Sequence, residues 1–179
     1  MAGSHHQNNP TSRKIILIAH NLRSCHNVGS LLRTAEGLGV NEVILSGYTP
    51  YPLRDENNDD RLPHIAHKID KQIRKTALGA ETMVAWRHEV NIQSIIDELR
   101  GDGWQLVAVE QAADAVDLPA FMPMGKVALV VGREVEGIEA DILTAMDNIV
   151  EIPMSGRKES FNVVQAAAMA LYHCRFTRL

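Results

Sequence analysis

The sequence has few aromatic residues, two cysteines and no long apolar run, and each scarcity excludes a class of protein. Phe, Tyr and Trp make up 4% of the 179 residues, so a base-stacking platform built from several rings is not expected. Two cysteines are too few for a disulfide framework, and this favours a reducing cytoplasm as the location. No apolar run approaches the roughly 20 residues that a membrane-spanning helix needs.

A surplus of basic residues is also missing, since the formal net charge is −4. Nucleic-acid binders more often carry a positive surplus that displaces counterions from phosphates. Charge is nevertheless distributed unevenly. The stretch 61–75 contains five basic residues and a single acid, Asp70; the basic residues are Arg61, Lys68, Lys71, Arg74 and Lys75. On charge alone this stretch is typical of a solvated helix face after a polar loop that carries Asp55, Glu56, Asp59 and Asp60. The composition therefore permits RNA binding but does not by itself indicate it.

The pattern along the chain predicts a disordered polar tail over residues 1–13 and a single domain over 14–179. Short apolar runs predict strands at 14–20, 42–47, 82–86, 104–110, 126–132 and 148–152. Between them, amphipathic patterns predict helices at 28–38, 66–77, 91–101, 139–146 and 162–176. Strands this apolar need cover on both faces, which the alternating helices supply. We expect a mainly parallel sheet in a three-layer α/β/α domain.

Three strand ends carry unusual residues, at the edge where parallel sheets bind ligands. The first stretch, NLRSCHNVGSLLRTA (residues 21–35), runs from a strand into a helix. Asn27 is the predicted N-cap, and Gly29 would let a ligand approach the helix N-terminus. Neither a P-loop nor a dinucleotide fingerprint is present, which argues against a nucleotide-binding oxidoreductase.

The other two stretches follow later strands. VVGREVEGI (130–138) places Glu134 after a strand, where it could pair with an arginine or organise the turn. IPMSGRKESFNVVQ (152–165) leads through a long loop to Ser160 and Asn162 at the start of the last helix. A Ser-x-Asn start is usually just helix capping, but the loop exceeds the usual 2–6 residues.

In order and spacing, these three stretches resemble the signature motifs of the SpoU (TrmH-like) branch of the SPOUT methyltransferases. The first motif of that family has the form N-x-R-[SD]-x-x-N-x-G-x-x-x-R-T-A, which the stretch 21–35 matches. The second motif, G-x-E-x-x-G, is matched by Gly132, Glu134 and Gly137. The third motif is I-P-M followed after a short loop by S-[LMF]-N, and residues 152–154 and 160–162 match it. Two positions depart from the usual pattern, Phe161 between the Ser and Asn, and Gln165 three residues after the Asn.

The resemblance implies an S-adenosylmethionine-dependent RNA ribose 2′-O-methyltransferase that acts as a homodimer, with each active site shared between subunits. It also implies a C-terminal deep trefoil knot, which topology rules alone would not predict. The implied cofactor pocket involves Glu110, Gly132, Ile152, Ser160 and Phe161. The product of the cofactor would be S-adenosylhomocysteine.

The resemblance assigns catalysis to the first-motif arginine, Arg33. Arginine is a poor base, so we expect Arg33 to grip a phosphate and stabilise the developing oxyanion. As hypotheses, Asn27 orients Arg33 or the ribose, Glu134 fixes an arginine, and Ser160 and Asn162 hold the catalytic turn. A preference for tRNA over rRNA follows from the small size of the domain, and nothing identifies the nucleotide. The expected RNA-binding residues are Arg23, Arg61, Lys68, Lys71, Arg74, Lys75, Arg157 and Lys158.

Two further alternatives stay open. A catalytically silent relative could bind RNA or protein through the same fold, although Arg33, Asn27 and Glu134 are all present. A metal site is suggested by Cys25-His26, His173-Cys174 and His64/His67, but adjacent Cys-His pairs do not match zinc-ligand spacing. We therefore expect no metal.

Overall fold

A computed structural model describes residues 13–54 and 59–178. The predicted tail, apart from its last residue, lies outside the described residues, as do Asp55 and Glu56. Arg13, assigned to the tail on sequence, instead belongs to the domain because it is 2% exposed. Its guanidinium donates hydrogen bonds to the carbonyls of Met124, Pro123 and Thr177, at 2.8, 3.1 and 2.9 Å.

The described chain contains seven strands and five helices, and β4, β5 and β6 follow one another without an α-helix between them. The strands are β1 (Lys14–His20), β2 (Glu42–Ser46), β3 (Trp86–Glu89), β4 (Gln105–Val109), β5 (Val116–Asp117), β6 (Lys126–Val131) and β7 (Asn148–Glu151). The helices are α1 (Cys25–Gly37), α2 (Pro63–Ala77), α3 (Ile92–Gly101), α4 (Ala140–Thr144) and α5 (Val163–Phe176). Two short 3₁₀ helices cover Ala80–Thr82 and Leu118–Ala120.

The strands form one sheet in the order β3-β2-β1-β6-β4-β7-β5, and all of its pairings are parallel. Alternate residues of β1 point into two cores. Ile15 and Leu17 pack with α1, α2 and α5, whereas Ile16 and Ile18 pack with α3 and α4. The predicted three-layer α/β/α class is confirmed, and the trefoil knot stays a prediction.

The sheet order sets where the strand ends meet. β6 lies between β1 and β4 although more than a hundred residues separate it from β1. The carboxyl ends of β1 and β6 are therefore neighbours, and so are those of β6, β4 and β7. This arrangement brings the three sequence stretches together at one edge.

The predicted bounds of β3 and the predicted N-cap of α1 are wrong, for local reasons. The strand predicted at 82–86 begins only at Trp86, because α2 ends in a left-handed Leu78 and Gly79 and the chain then makes a 3₁₀ turn. The N-cap of α1 is Ser24 rather than Asn27, since the Ser24 hydroxyl accepts a hydrogen bond from the backbone N–H of Asn27. The helix predicted to end at residue 38 ends at Gly37, and Gly39 just after it has φ +63°.

Gly29 serves helix packing and not ligand approach, contrary to the prediction. A Cβ at this position would come closer than 3.0 Å to the Ile73 carbonyl oxygen and to Thr76 Oγ1, both on α2. The Thr76 hydroxyl also donates to the His26 carbonyl at 2.8 Å, across the same contact. The glycine thus allows α1 and α2 to pack closely.

In the described part of the chain, the helices are all too short or too polar to cross a membrane.

Candidate active site

A cavity of about 300 Å³ opens at the carboxyl ends of β4, β6 and β7. Its lining includes Val109 and Val131, the last residues of β4 and β6, and Val150 and Glu151 at the end of β7. All five predicted cofactor-binding residues line it: Glu110, Gly132, Ile152, Ser160 and Phe161. Periodicity alone did not identify other lining residues, such as Gln111, Glu136 and Glu159. Gln111 lies two residues past the end of β4 and could have been found by following that strand, but Glu136 and Glu159 lie five and eight residues past the ends of β6 and β7.

One wall of the cavity is the turn from Arg133 to Gly137, which we call the cavity turn. It is closed by paired backbone hydrogen bonds between Arg133 and Gly137, both of 3.2 Å. Glu110 braces it, since its Oε2 accepts from the backbone N–H of Ile138 at 3.0 Å. The Glu110 carboxylate thus supports the wall as well as lining the cavity.

Another part of the lining belongs to the segment that precedes α5. Gln111 Nε2 donates to the Glu159 carbonyl at 2.9 Å, and this joins the end of β4 to that segment. Ser160 and Phe161 lie on the cavity, whereas the Asn162 side chain caps α5 by accepting from the Val164 N–H at 2.9 Å. Asn162 therefore has the capping role that the Ser-x-Asn pattern usually indicates. Gln165 is exposed on α5.

The segment from Asn21 to Asn27, which we call the entry segment, is tied to the cavity turn and to Glu139 by three side-chain bridges. Asn21 Nδ2 donates to Glu139 Oε1 at 3.1 Å, and Arg23 Nη2 to Glu136 Oε1 at 3.1 Å. Asn27 Nδ2 donates to Glu134 Oε1 at 2.9 Å. The first and second motifs therefore form one surface.

These bridges correct two predicted pairings. Glu134 binds Asn27 and not an arginine, while the neighbouring Arg133 pairs with Glu139 at 2.8 Å. Asn27 does not contact Arg33 through a hydrogen bond. Arg33 is exposed on α1, is absent from the cavity lining, and makes no ion pair or hydrogen bond with the rest of residues 13–54 and 59–178.

Two arginines of the basic stretch are engaged in the fold. Arg61 is bonded to Asp59 at 2.5 Å and lies over the Tyr51 ring at 3.6 Å, with its side chain 14% exposed. Hydrogen bonds from Arg61 hold the pKa of Asp59 well below its ordinary value. Arg74 forms ion pairs with Asp70 at 2.6 Å and Glu81 at 2.9 Å. Arg61 is thus unavailable for RNA, and the charge of Arg74 is already compensated.

The other predicted RNA-binding residues are exposed: Arg23, Lys68, Lys71, Lys75, Arg157 and Lys158. The three lysines recur at helical spacing on one face of α2. Arg23 bonds to Glu136 of the cavity lining, and a hydrogen bond to Tyr48 and the charge of Glu136 raise the pKa of Arg23.

A buried histidine lies beside the entry segment. His20, at the end of β1, is 4% exposed, and its Nδ1 lies 3.0 Å from Ser46 Oγ. Burial lowers the pKa of His20, and the nearby Glu139 opposes this shift. Among the described residues, no three His, Cys, Asp or Glu side chains come together in a way that could hold a metal ion.

This geometry can be compared with known proteins. The chain matches the model of the SpoU rRNA methylase family over residues 61–172. The chain belongs to the SpoU methylase family. The matched range contains the cavity turn and the segment before α5.

Three members or neighbours illustrate the likeness. The 23S rRNA (guanosine(2553)-2′-O)-methyltransferase RlmP of Bacillus subtilis is 28% identical over 167 residues, which are 92% of this chain and 59% of RlmP. The AdoMet-bound rRNA methyltransferase from Sinorhizobium meliloti has a TM-score of 0.75 at 23% identity and covers 90% of this chain and 56% of its own. A structure described as giving insights into the 2-OH methylation of C/U34 on tRNA has a TM-score of 0.69 at 20% identity, and covers 91% of this chain and 95% of its own.

At these identities the two structures show a shared fold. The chain spans little more than half the length of the curated relatives it matches.

Proposed function

We propose that this SpoU-family chain transfers a methyl group from S-adenosylmethionine to a ribose 2′-hydroxyl of RNA. The observation that carries the proposal is the strand-end cavity, which the second and third motifs line and to which the first motif is bonded. RlmP, the relative at 28% identity, is by name a ribose 2′-O-methyltransferase of RNA.

The cavity suits this cofactor in size and charge. Its volume of about 300 Å³ is at the lower end of the range for small-molecule sites. Valines and Phe161 offer an apolar surface for the adenine ring. The formal charges of the lining are one arginine against five glutamates, which are Glu110, Glu134, Glu136, Glu151 and Glu159. A negative lining favours a ligand that carries a sulfonium and an ammonium group. When bound, S-adenosylmethionine supplies an electrophilic methyl group.

The residues of the chain would then position the RNA. The 2′-oxygen must lie in line with the methyl group, and most of the rate gain comes from that positioning. We propose that Arg33 binds the adjacent phosphate and stabilises charge on the oxygen as its proton leaves to solvent or phosphate. Ser160 and the start of α5, which Asn162 caps, hold the catalytic turn beside the cavity.

We further propose that a second copy of the chain completes the site, because Arg33 does not line the cavity of its own chain. A largely apolar groove beside α5 offers the contact surface, and its rings Tyr172 and Phe176 are 60% and 51% exposed. Replacing Tyr172 by Glu should convert a dimer into a monomer in light scattering after size exclusion. Met83→Glu, which alters a residue 71% exposed elsewhere, should not. A wild-type monomer would refute the shared site.

As substrate we propose tRNA, and as location the cytoplasm, where donor and RNA meet. One structure that this chain matches over most of both lengths is described as giving insights into the 2-OH methylation of C/U34 on tRNA. The exposed lysines of α2, together with Arg23, Arg157 and Lys158, would contact phosphates. Changing Lys68, Lys71 and Lys75 to Gln should weaken tRNA binding and reduce the slope of log K against log salt by about 0.7–0.9 per lost contact.

The test is incubation with methyl-labelled S-adenosylmethionine and either total tRNA or ribosomal RNA, followed by digestion to nucleosides. Label on a 2′-O-methylated nucleoside supports the proposal and identifies the base. Label on a base atom, or no label despite donor binding by calorimetry, refutes it, and the second result supports the catalytically silent alternative.

The role of Arg33 is tested separately. Arg33→Ala should abolish transfer while the dissociation constant of S-adenosylhomocysteine stays unchanged. Arg100→Ala, which removes an exposed arginine at the end of α3, is the matched control and should keep full activity. A parallel loss of transfer and donor affinity in Arg33→Ala would contradict the role.

A further inference from the structure

Five polar side chains meet where β1, β2 and β6 end, and we call them the strand-end cluster. Its members are His20, Asn21, Ser46, Arg133 and Glu139. The cluster connects the first residue of the entry segment with the first residue of the cavity turn. Neither His20, Arg133 nor Glu139 belongs to the three motif patterns.

Glu139 is the hub of the cluster. Its Oε1 accepts hydrogen bonds from Asn21 Nδ2 at 3.1 Å and from Arg133 Nη2 at 2.8 Å. Its Oε2 lies 3.5 Å from His20 Nε2 and accepts no hydrogen bond from the described residues. Although Glu139 is the N-cap of α4, its side chain makes no capping bond. The carboxylate therefore serves the cluster and not the helix.

Asn21 has a left-handed backbone, with φ +56°. Asparagine adopts this conformation more readily than most residues other than glycine, because its short side chain forms local hydrogen bonds. Its backbone N–H donates to the Ser46 carbonyl at 3.1 Å, and its Oδ1 accepts from the Tyr48 N–H at 3.2 Å. The remaining side-chain atom, Nδ2, is the one that binds Glu139.

Glu139 also differs from the acids of the other two bridges. Its side chain is 29% exposed, against 42% for Glu136, and the Asn27–Glu134 bond is exposed. Exposed ion pairs contribute little to positioning because water and salt screen them. A shielded carboxylate shared by two donors constrains both of them more strongly.

We propose that Glu139 is a positioning residue that fixes Asn21 and Arg133, and thereby holds the RNA-facing entry segment against the wall of the donor cavity. This inference rests on the proposed methyltransferase function. Loss of the carboxylate should lower turnover of RNA while donor binding stays intact, because Glu139 does not line the cavity.

His20 provides a readout that needs no RNA. Its Nε2 lies 2.9 Å from Asn21 Nδ2 and accepts from it, so the Nδ1–H of a neutral ring donates to Ser46 Oγ. The charged groups that face it are Glu139, Arg133 and Asp141. Glu139 is the strongest of the three charges, and it raises the pKa of His20 against the larger effect of burial. Removing Glu139 should therefore lower this pKa further.

The experiment compares Glu139→Ala and Glu139→Gln with the matched control Asp141→Asn, which alters an exposed acid two residues away. Three quantities are measured: the His20 titration by NMR, the dissociation constant of S-adenosylhomocysteine by calorimetry, and kcat with total tRNA. We expect kcat to fall about ten- to a hundredfold in Glu139→Ala, as for a lost hydrogen bond to a charged group. Glu139→Gln keeps one acceptor oxygen and should lose less. The control should keep its kcat and show the smaller His20 shift.

The outcomes separate this inference from the proposed function. A His20 pKa that does not move in either Glu139 variant overturns the cluster, and an unchanged kcat overturns the positioning role. A donor dissociation constant that rises in step with the loss of kcat overturns the positioning role and assigns Glu139 to the donor site. A wild-type protein that methylates no RNA refutes the proposed function, and the His20 titration then decides the cluster alone.

Discussion

Replacing Gly132 by Ala should damage the cavity without adding any polar or charged group. Gly132 directly follows β6 and lines the cavity. A Cβ there would lie 2.6 Å from Ile138 Cγ1, and 2.7 and 2.8 Å from the carbonyl carbon and oxygen of Gly137. Two of these three atoms are backbone, so the cavity turn itself would have to move by about 0.7 Å, the difference between 2.7 Å and ordinary contact at 3.4 Å.

The turn cannot make this movement freely. Paired hydrogen bonds join Arg133 to Gly137, and Glu110 Oε2 holds the Ile138 N–H at 3.0 Å. Overpacking of this kind costs about 1–3 kcal/mol. For a chain of this length we expect a fall in melting temperature of about 2–12 °C. If the same strain opposes binding in the cavity, the dissociation constant of S-adenosylhomocysteine rises at least about fivefold.

Calorimetry with S-adenosylhomocysteine and thermal melting measure the two effects. The matched control is Gly125→Ala, at the opposite end of the same strand, where a Cβ would meet nothing within 4 Å. A Gly132→Ala protein that binds S-adenosylhomocysteine and melts like the control would refute the reasoning, because the cavity turn would then be free to move.

Three further predictions concern stability and thiol chemistry. Gly29→Ala should lower the free energy of unfolding by about 1–3 kcal/mol in urea, since its Cβ would collide with α2; an unchanged midpoint would contradict the close packing. Burial lowers the pKa of His20 in the folded protein, so the unfolded chain binds the proton more readily. The contribution of His20 to stability should be complete above about pH 6.5 and decline below it, and His20→Gln should reduce that decline in urea titrations between pH 5 and 7. At pH 8 a maleimide should label half-buried Cys25 before Cys174 in mass spectrometry, because burial raises the pKa of Cys174 to about 12; equal rates would show that α5 opens readily.

The sequence predicted central strands better than edge strands. β1 has the predicted bounds, because a strand buried on both faces is a continuous apolar run that local pattern detects. β3 lies at the edge of the sheet, and its sequence WRHE is half-buried throughout. The strand was predicted at 82–86 because that stretch is more apolar than β3. In the structure Gly79 and the 3₁₀ turn come first, and the strand begins only at Trp86.

The sequence could not distinguish charges that serve the fold from charges that face a ligand. Arg61 and Lys68 are equally basic in the sequence, but only Arg61 lies over the Tyr51 ring and binds Asp59. Gly29 presents the same ambiguity. A glycine near a helix start can admit a ligand or a neighbouring helix, and only the position of α2 decides for the helix.

By itself, the sequence determined the alternation of strands and helices and the motif-bearing segments at strand ends, because these depend on the order and spacing of nearby residues. Tertiary structure decided which of these segments meet. Asn27 and Glu134 are 107 residues apart, yet they share a hydrogen bond of 2.9 Å. That contact exists because β6 inserts between β1 and β4, and this pairing of strands far apart in the sequence is not encoded in any local pattern.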